Sequence, residues 1–261
     1  MDLGLEGRRV LITGGSKGIG RATARAFARE GAALIHIAAR SAPALDALAQ
    51  EIGAAHRCEV RTHALDLTDT AARGVLIEQT LDVDVLVNNA GAIPSGSMYA
   101  VDDEAWRRGW DLKVFGYINM CRAFYRHMCA RGHGVIVNDI GNSAFNPDFD
   151  YVAGSCGNAS LNTLTQALGG NSLDSGVRVV AVNPGPVDTG RMETMLRQRA
   201  RAMLGDEARW MELLARFPGK RAATPEEVAD LIVFLASDRA AYISGCEVTI
   251  DGGITARRSV V

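Results

Sequence analysis

"RRVLITGGSKGIGRATARAFAREG" (residues 8–31) is the stretch on which the fold turns. Its first part, "RRVLIT" (8–13), ends in a short apolar run of the kind that forms a buried strand. "GIGRATARAFAREG" (18–31) switches to helical spacing and closes on Gly31. Between them, "TGGSKGIG" (13–20) carries glycines at 14, 18 and 20. Glycines there let the backbone turn tightly and approach a pyrophosphate, while the helix start offers amides and partial positive charge. Such a turn alone is a weak signal; a strand before it and a helix after it point to a dinucleotide site.

The alternation continues outward. "ALIHIAAR" (33–40), "EVRTHALD" (59–66), "DVLVNNAG" (84–91), "GVIVND" (134–139), "VRVVAVNPG" (177–185) and "CEVTIDGG" (246–253) read as further strands. "ALDALAQEIG" (44–53), "EAWRRGWDLKVFGYINMCRAFYRHMCAR" (104–131) and "NASLNTLTQALGGNSL" (158–173) read as helices. Strands alternating with helices imply a parallel sheet covered on both faces. No repeat, low-complexity tract or linker divides the chain. The expectation is one α/β domain over 1–261, a doubly wound parallel sheet of about seven strands. The irregular region 186–222 is a candidate lid.

Composition narrows the function classes. The chain has 261 residues, 48% hydrophobic, enough for a sizeable core. A formal charge of −2 argues for neither nucleic acid nor an anionic membrane as partner. No apolar run is long enough to span a bilayer. Five cysteines without regular spacing, and an N-terminus, "MDLGLEGRRV", that does not read as a signal peptide, suggest a reduced, cytoplasmic protein. His36, His56, His63, His127 and His133 show no metal-ligand pairing, so no metal is expected.

With these motifs in order, the chain resembles the short-chain dehydrogenase/reductases over nearly its whole length, a Rossmann-like family. "TGGSKGIG" matches the family's glycine motif, implying dinucleotide contacts from Gly14, Ser16, Lys17, Gly18, Ile19 and Gly20. Asp66 and Leu67 in "LDLTD" fall where the family touches adenine. "NNAG" supplies Asn88, Asn89, Ala90 and Gly91. "NPGPVDT" (183–189) supplies Pro184, Gly185, Val187 and Thr189, where the family holds the nicotinamide carboxamide. "SGCEVTIDGG" (244–253) matches its terminal strand. The second strand ends in Ala39 and Arg40, a basic group where an NAD-binding relative has an acid. Arg40 and Lys17 would pair with a 2′-phosphate, so the expected cofactor is NADP(H).

The catalytic residues are another matter. The resemblance implies an asparagine, a serine, a tyrosine and a lysine. Aligned without gaps, those positions fall on Lys113, Gly141, Gly154 and Asn158. A second alignment keeps Tyr151 as the tyrosine, but its fourth neighbour is Ser155, and it stands one turn, about 5 Å, from position 154. Our expectation is that Tyr151 and Lys113 form the proton-handling pair, with Ser143 orienting a carbonyl and Asp139 a candidate partner of Lys113. Asn142 and Asn158 offer hydrogen bonds but no titrating proton, and Cys156 reads as packing between glycines. The stretch 191–221 holds eight basic and four acidic residues, which suits either an anionic substrate or a solvated helix pair. Met192, Met195 and Met203 are candidates to line an adaptable pocket.

The expected activity is NADP(H)-dependent oxidation or reduction of a carbonyl or alcohol on a small molecule. The alternatives are non-redox chemistry on the same fold and a non-catalytic regulatory role. The resemblance further implies a homo-oligomer, a tetramer paired through helices 104–131 and 152–173; "YINMCRAFYRHM" carries apolar residues on more than one face.

Overall fold

Seven segments pair as strands in the computed structural model, which describes residues 1–257. They are β1 (Arg9–Thr13), β2 (Leu34–Ala39), β3 (Glu59–Ala64), β4 (Val85–Asn88), β5 (Gly134–Asp139), β6 (Val177–Pro184) and β7 (Glu247–Ile250). All pair in parallel, in the order β3–β2–β1–β4–β5–β6–β7. The order reverses between β1 and β4, and in such sheets the crevice outside the strand C-termini at that reversal is the usual ligand site. The central strands are apolar on both faces because helices cover both. Val10, Leu11 and Ile12 of β1 are fully buried, each contributing roughly 1.5–3 kcal/mol by leaving water.

The helices are α1 (Gly18–Arg29), α2 (Ala42–Ala55), α3 (Thr70–Thr80), α4 (Asp103–Trp110), α5 (Gly116–Arg131), α6 (Val152–Ser172), α7 (Gly190–Leu204) and α8 (Pro225–Ala236). One face packs Phe27, Leu45, Leu48, Ile52, Val228 and Ile232 from α1, α2 and α8. The other packs Leu76, Met120, Cys121, Phe124 and Met128 from α3 and α5, with Leu161 of α6 beyond them. This is the doubly wound, Rossmann-like sheet expected. No helix among the described residues is long and apolar enough to cross a membrane.

Three features differ from the sequence reading. The run 104–131 is not one regular helix: a π-helical turn, Asp111–Phe115, separates α4 from α5. Helix α6 starts at Val152, ahead of the apolar pattern that begins at 158 and in line with the 152–173 stretch expected to pair between subunits, and Trp110 donates its indole N–H to the Ala153 carbonyl (3.0 Å) in its first turn. Helices α3 and α8 were not expected at all. The apolar residues of α5 mostly point inward, with Tyr117, Met120, Cys121, Phe124 and Met128 all buried, while Phe115 just before it stays half exposed.

Candidate active site

The C-terminal ends of β1, β2, β4, β5 and β6 open into one cleft of about 1830 Å³. At its β1 end the chain leaves Thr13 through Gly14, whose φ is +72°. A Cβ at Gly14 would lie 2.7 Å from the Asn89 amide and 2.9 Å from Ala90 Cα, so only glycine fits. Gly20 serves the same close approach: a Cβ there would lie 2.5 Å from both Asn89 Nδ2 and the Gly14 carbonyl. Asn89 fixes the turn by donating to the carbonyls of Thr13 (2.8 Å) and Gly14 (3.1 Å). Lys17, at the start of α1, gives the helix no side-chain cap, leaving its first amides for an anion.

Gly14, Ser16, Lys17, Gly18, Ile19, Arg40, Asp66, Leu67, Asn89, Ala90, Gly91, Pro184, Gly185, Val187 and Thr189 all line this cleft. Asp66 accepts from the Thr68 backbone and hydroxyl, and these bonds, with Arg40 nearby, hold its carboxyl below the usual range. Asn88 is the exception. It is fully buried and donates to Asn138 Oδ1 (2.9 Å) and Cys121 Sγ (3.4 Å). It stands opposite Asn138 in the β4–β5 register, so its side chain knits the core and does not face the cleft. Gly20 likewise acts by packing rather than by lining the cleft.

Further along lie Gly154, Gly141 and Asn158, three of the four positions on which the family's catalytic residues were expected to fall. A Cβ on Gly154 would lie 2.0 Å from Tyr151 Cζ. The Tyr151 ring therefore fills the space that a side chain at 154 would take. The ring thus lies over a glycine, and Tyr151 lines the cleft. Gly141 has φ +131°, and a Cβ there would meet Asn158 Nδ2 at 2.9 Å. That amide donates to Ser143 Oγ (2.8 Å) and the Gly141 carbonyl (3.4 Å). Asn158 Oδ1 is buried and has no hydrogen-bond partner among the described residues.

Lys113 lies in the π turn, a distortion that recurs at functional sites. Its stem runs past Gly91, where a Cβ would lie 2.9 Å from Lys113 Cδ. Its ammonium donates to the Ile140 carbonyl. Burial pulls Lys113 down to about 8, against Asp139, which favours its charge, with Arg191 adding to the lowering. Burial pushes the Asp139 carboxyl up to about 7, with Lys113 opposing. Tyr117 donates to the Asp139 carbonyl (2.8 Å), fixing the strand end.

Lys113 and Tyr151 thus share the cleft but have different hydrogen-bond partners. The group at the Tyr151 hydroxyl is Arg191 of α7, whose Nη2 donates to Oη at 3.1 Å. Sequence reasoning did not single out Arg191, because nothing in "DTGRMET" marks one arginine of that basic stretch as reaching back 40 residues. Arg199 pairs with Asp148 (2.6 Å). Met192 and Met195 line the cleft; Met203 does not and is half exposed.

A family model described as "Enoyl-(Acyl carrier protein) reductase" matches residues 14–255. The chain is 36% identical over 252 residues to the 2-keto-3-deoxy-L-fuconate dehydrogenase of Xanthomonas campestris, covering 95% of this chain and 80% of that one. It is 37% identical over 256 residues to the galactitol 2-dehydrogenase (L-tagatose-forming) of Cereibacter sphaeroides, covering 96% of each. The solved L-sorbose reductase of Gluconobacter frateurii, complexed with NADPH and L-sorbose, superposes with a TM-score of 0.90 at 30% identity, over 99% of this chain and 100% of that one. With the glycine turn, the sheet order and the cleft all in place, the chain belongs to the short-chain dehydrogenase/reductase family.

Proposed function

We propose that the protein is an NADP(H)-dependent oxidoreductase that interconverts a secondary alcohol and a ketone on a small polyhydroxylated molecule, using a non-standard catalytic set. The observation that carries this reading is the Tyr151 ring in the space over Gly154, which brings a phenol into the cleft although the sequence puts it one turn away. The substrate end of the cleft is polar, with Ser95, Asn142, Asn146, Asp148 and Gln198 supplying donors and acceptors. That lining suits hydroxyls, as do the relatives that act on galactitol, L-sorbose and 2-keto-3-deoxy-L-fuconate.

The cradle fits a dinucleotide: a turn with no room for a Cβ, a helix start without a side-chain cap, and the buried Asn158 acceptor. Gly14, Ser16, Lys17, Gly18 and Ile19 would hold the pyrophosphate, supported by Gly20. Asp66 and Leu67 would flank the adenine, and Asn89, Ala90, Gly91, Pro184, Gly185, Val187 and Thr189 the nicotinamide half. Arg40 and Lys17 would face a 2′-phosphate. When bound, the nicotinamide supplies or accepts a hydride at C4. Tyr151 gives or takes the proton at the substrate oxygen. Ser143, held by Asn158, orients that oxygen, and the Lys113–Asp139 pair holds a proton behind the strand end. Residues 186–222 close over the substrate, and the protein works as a homo-oligomer.

The test is turnover of NADPH or NADP against a panel of ketoses, polyols and sugar acids. The expected result is turnover of at least one of them, with NADPH bound more tightly than NADH and the preference reversed by Arg40→Asp. Tight dinucleotide binding with no turnover on any member would instead favour the non-redox or regulatory reading.

A further inference from the structure

The family position that should carry a lysine beside the tyrosine carries Asn158, an uncharged amide turned to Ser143. We infer that Arg191, from α7, supplies the missing positive charge at the Tyr151 hydroxyl and is a catalytic residue of this protein. The inference rests on the reading of Tyr151 as the proton donor.

The guanidinium is held in place. Its Nη2 donates to the Ile93 carbonyl (2.7 Å) and to Tyr151 Oη (3.1 Å), and Nη1 donates to the Gly91 carbonyl (3.4 Å). Its central carbon lies 5.9 Å from the centroid of the Tyr151 ring. Tyr151 is fixed from the other side, its backbone bridged to Gly96. No carboxylate pairs with Arg191 among the described residues, whereas two other arginines of α7 are neutralised, Arg197 by Glu193 and Arg199 by Asp148. Carbonyl acceptors orient the guanidinium without cancelling its charge. The charge is felt deeper in the cleft as well, where it opposes ionisation of Lys113.

During reduction the substrate carbonyl carbon receives the hydride with its electron pair. The Tyr151 O–H bond breaks, and that proton forms the new O–H bond of the alcohol. Negative charge appears on Tyr151 Oη at that moment, and a fixed donor already aimed at that atom stabilises it without reorganising. Arg191 keeps all its protons, and Tyr151 regains its own from solvent. In the oxidising direction each bond change runs in reverse.

The test uses the full-length protein with NADPH and whichever substrate the panel yields. Arg191→Ala should lower kcat by about 10²-fold, the scale of losing one such donor, with the NADPH dissociation constant, read by fluorescence, changed less than about 3-fold. Added guanidinium ion should restore part of the rate to Arg191→Ala and none to Tyr151→Phe. Arg191→Lys should keep an intermediate rate, since it retains charge but not the fork. Full activity in Arg191→Ala alongside an inactive Tyr151→Phe would overturn this inference alone. So would a loss that neither guanidinium nor lysine relieves. Full activity in Tyr151→Phe would overturn the reading of the tyrosine itself.

Discussion

Gly154 decides where the phenol goes. Its missing Cβ leaves the space that Tyr151 occupies, and a methyl group there would lie 2.0 Å from the ring. Gly154→Ala should therefore push the ring out of the cleft and lower kcat at least tenfold, because reacting groups tolerate misplacement of only about 1 Å. Steady-state kinetics, with NADPH binding as the control, would show it; undiminished kcat in the Gly154→Ala variant would contradict the placement. The Lys113–Asp139 pair makes a second claim at this scale. Unfolded, Asp139 ionises near 3.8 and Lys113 near 10.5; folded, the values are about 7 and about 8. Between 3.8 and about 7 the folded state holds an extra proton on Asp139, so the pair's contribution to stability falls as pH rises. Between about 8 and 10.5 the folded state lacks a proton on Lys113, so the contribution grows with pH. A dip between about 7 and 8 follows. Thermal unfolding across that range should show it in the natural protein and lose it in the Lys113→Met/Asp139→Leu double variant, which should be at least as stable at the dip. Parallel curves for the two proteins would refute the assignment. The sequence showed Lys113 and Asp139 as oddities at family positions, but not that burial would draw their ionisation together. It offered Tyr151 as the proton donor paired with Lys113, but not the ring's course over Gly154, which depends on an absent side chain three residues away. Arg191 could not be found from spacing at all, since its contact exists only once α7 packs over the cleft.

Elements were legible in proportion to their apolar pattern. All seven strands fall within two or three residues of their expected ends, because runs such as "VLI" and "VVAV" are buried on both faces. Helix α3 escaped notice because it buries only Leu76 and Thr80, too little for a periodic signal; its start is set instead by Asp69, whose side chain accepts from the amides of Ala71 and Ala72. Helix α8 was within reach. Thr224 and Glu227 form a reciprocal capping box ahead of "VADLIVFLA", the kind of start signal that sequence carries openly. The π turn was invisible, since a one-residue widening leaves apolar spacing nearly intact. The far end of α8 depends on Arg178 of β6. This buried guanidinium donates to the carbonyls of Leu235 (2.6 Å), Ala236 (3.1 Å) and Ser237 (2.9 Å). Arg178→Ala would leave these acceptors without their donor, at about 2–4 kcal/mol. Urea denaturation should show the loss; a change below about 0.5 kcal/mol would mean that water replaces the arginine.

At the scale of the molecule, the case for assembly shifts within the two helical stretches that the sequence suggested, away from "YINMCRAFYRHM". The inward turn of α5 removes most of its apolar face from the surface. What remains outside is the half-exposed Phe115 and, on α6, the small residues Ala159, Ser160, Thr163 and Ala167, across which a second helix can approach closely. We expect sedimentation at micromolar concentration to give a multiple of the 27.8 kDa chain mass; a monomer would rule this out. The basic residues carry a further consequence. Of 28, only three are lysines: Lys113 is buried, Lys17 stands exposed at the cleft, and Lys220 is exposed outside the cleft lining. Acylation by an amine reagent is therefore a footprint with a built-in reference. Peptide masses should show NADP shielding Lys17 while Lys220 reacts as before, with NAD shielding Lys17 less. Equal protection by the two dinucleotides would remove Lys17 from the reading of the 2′-phosphate, without any substrate having been identified.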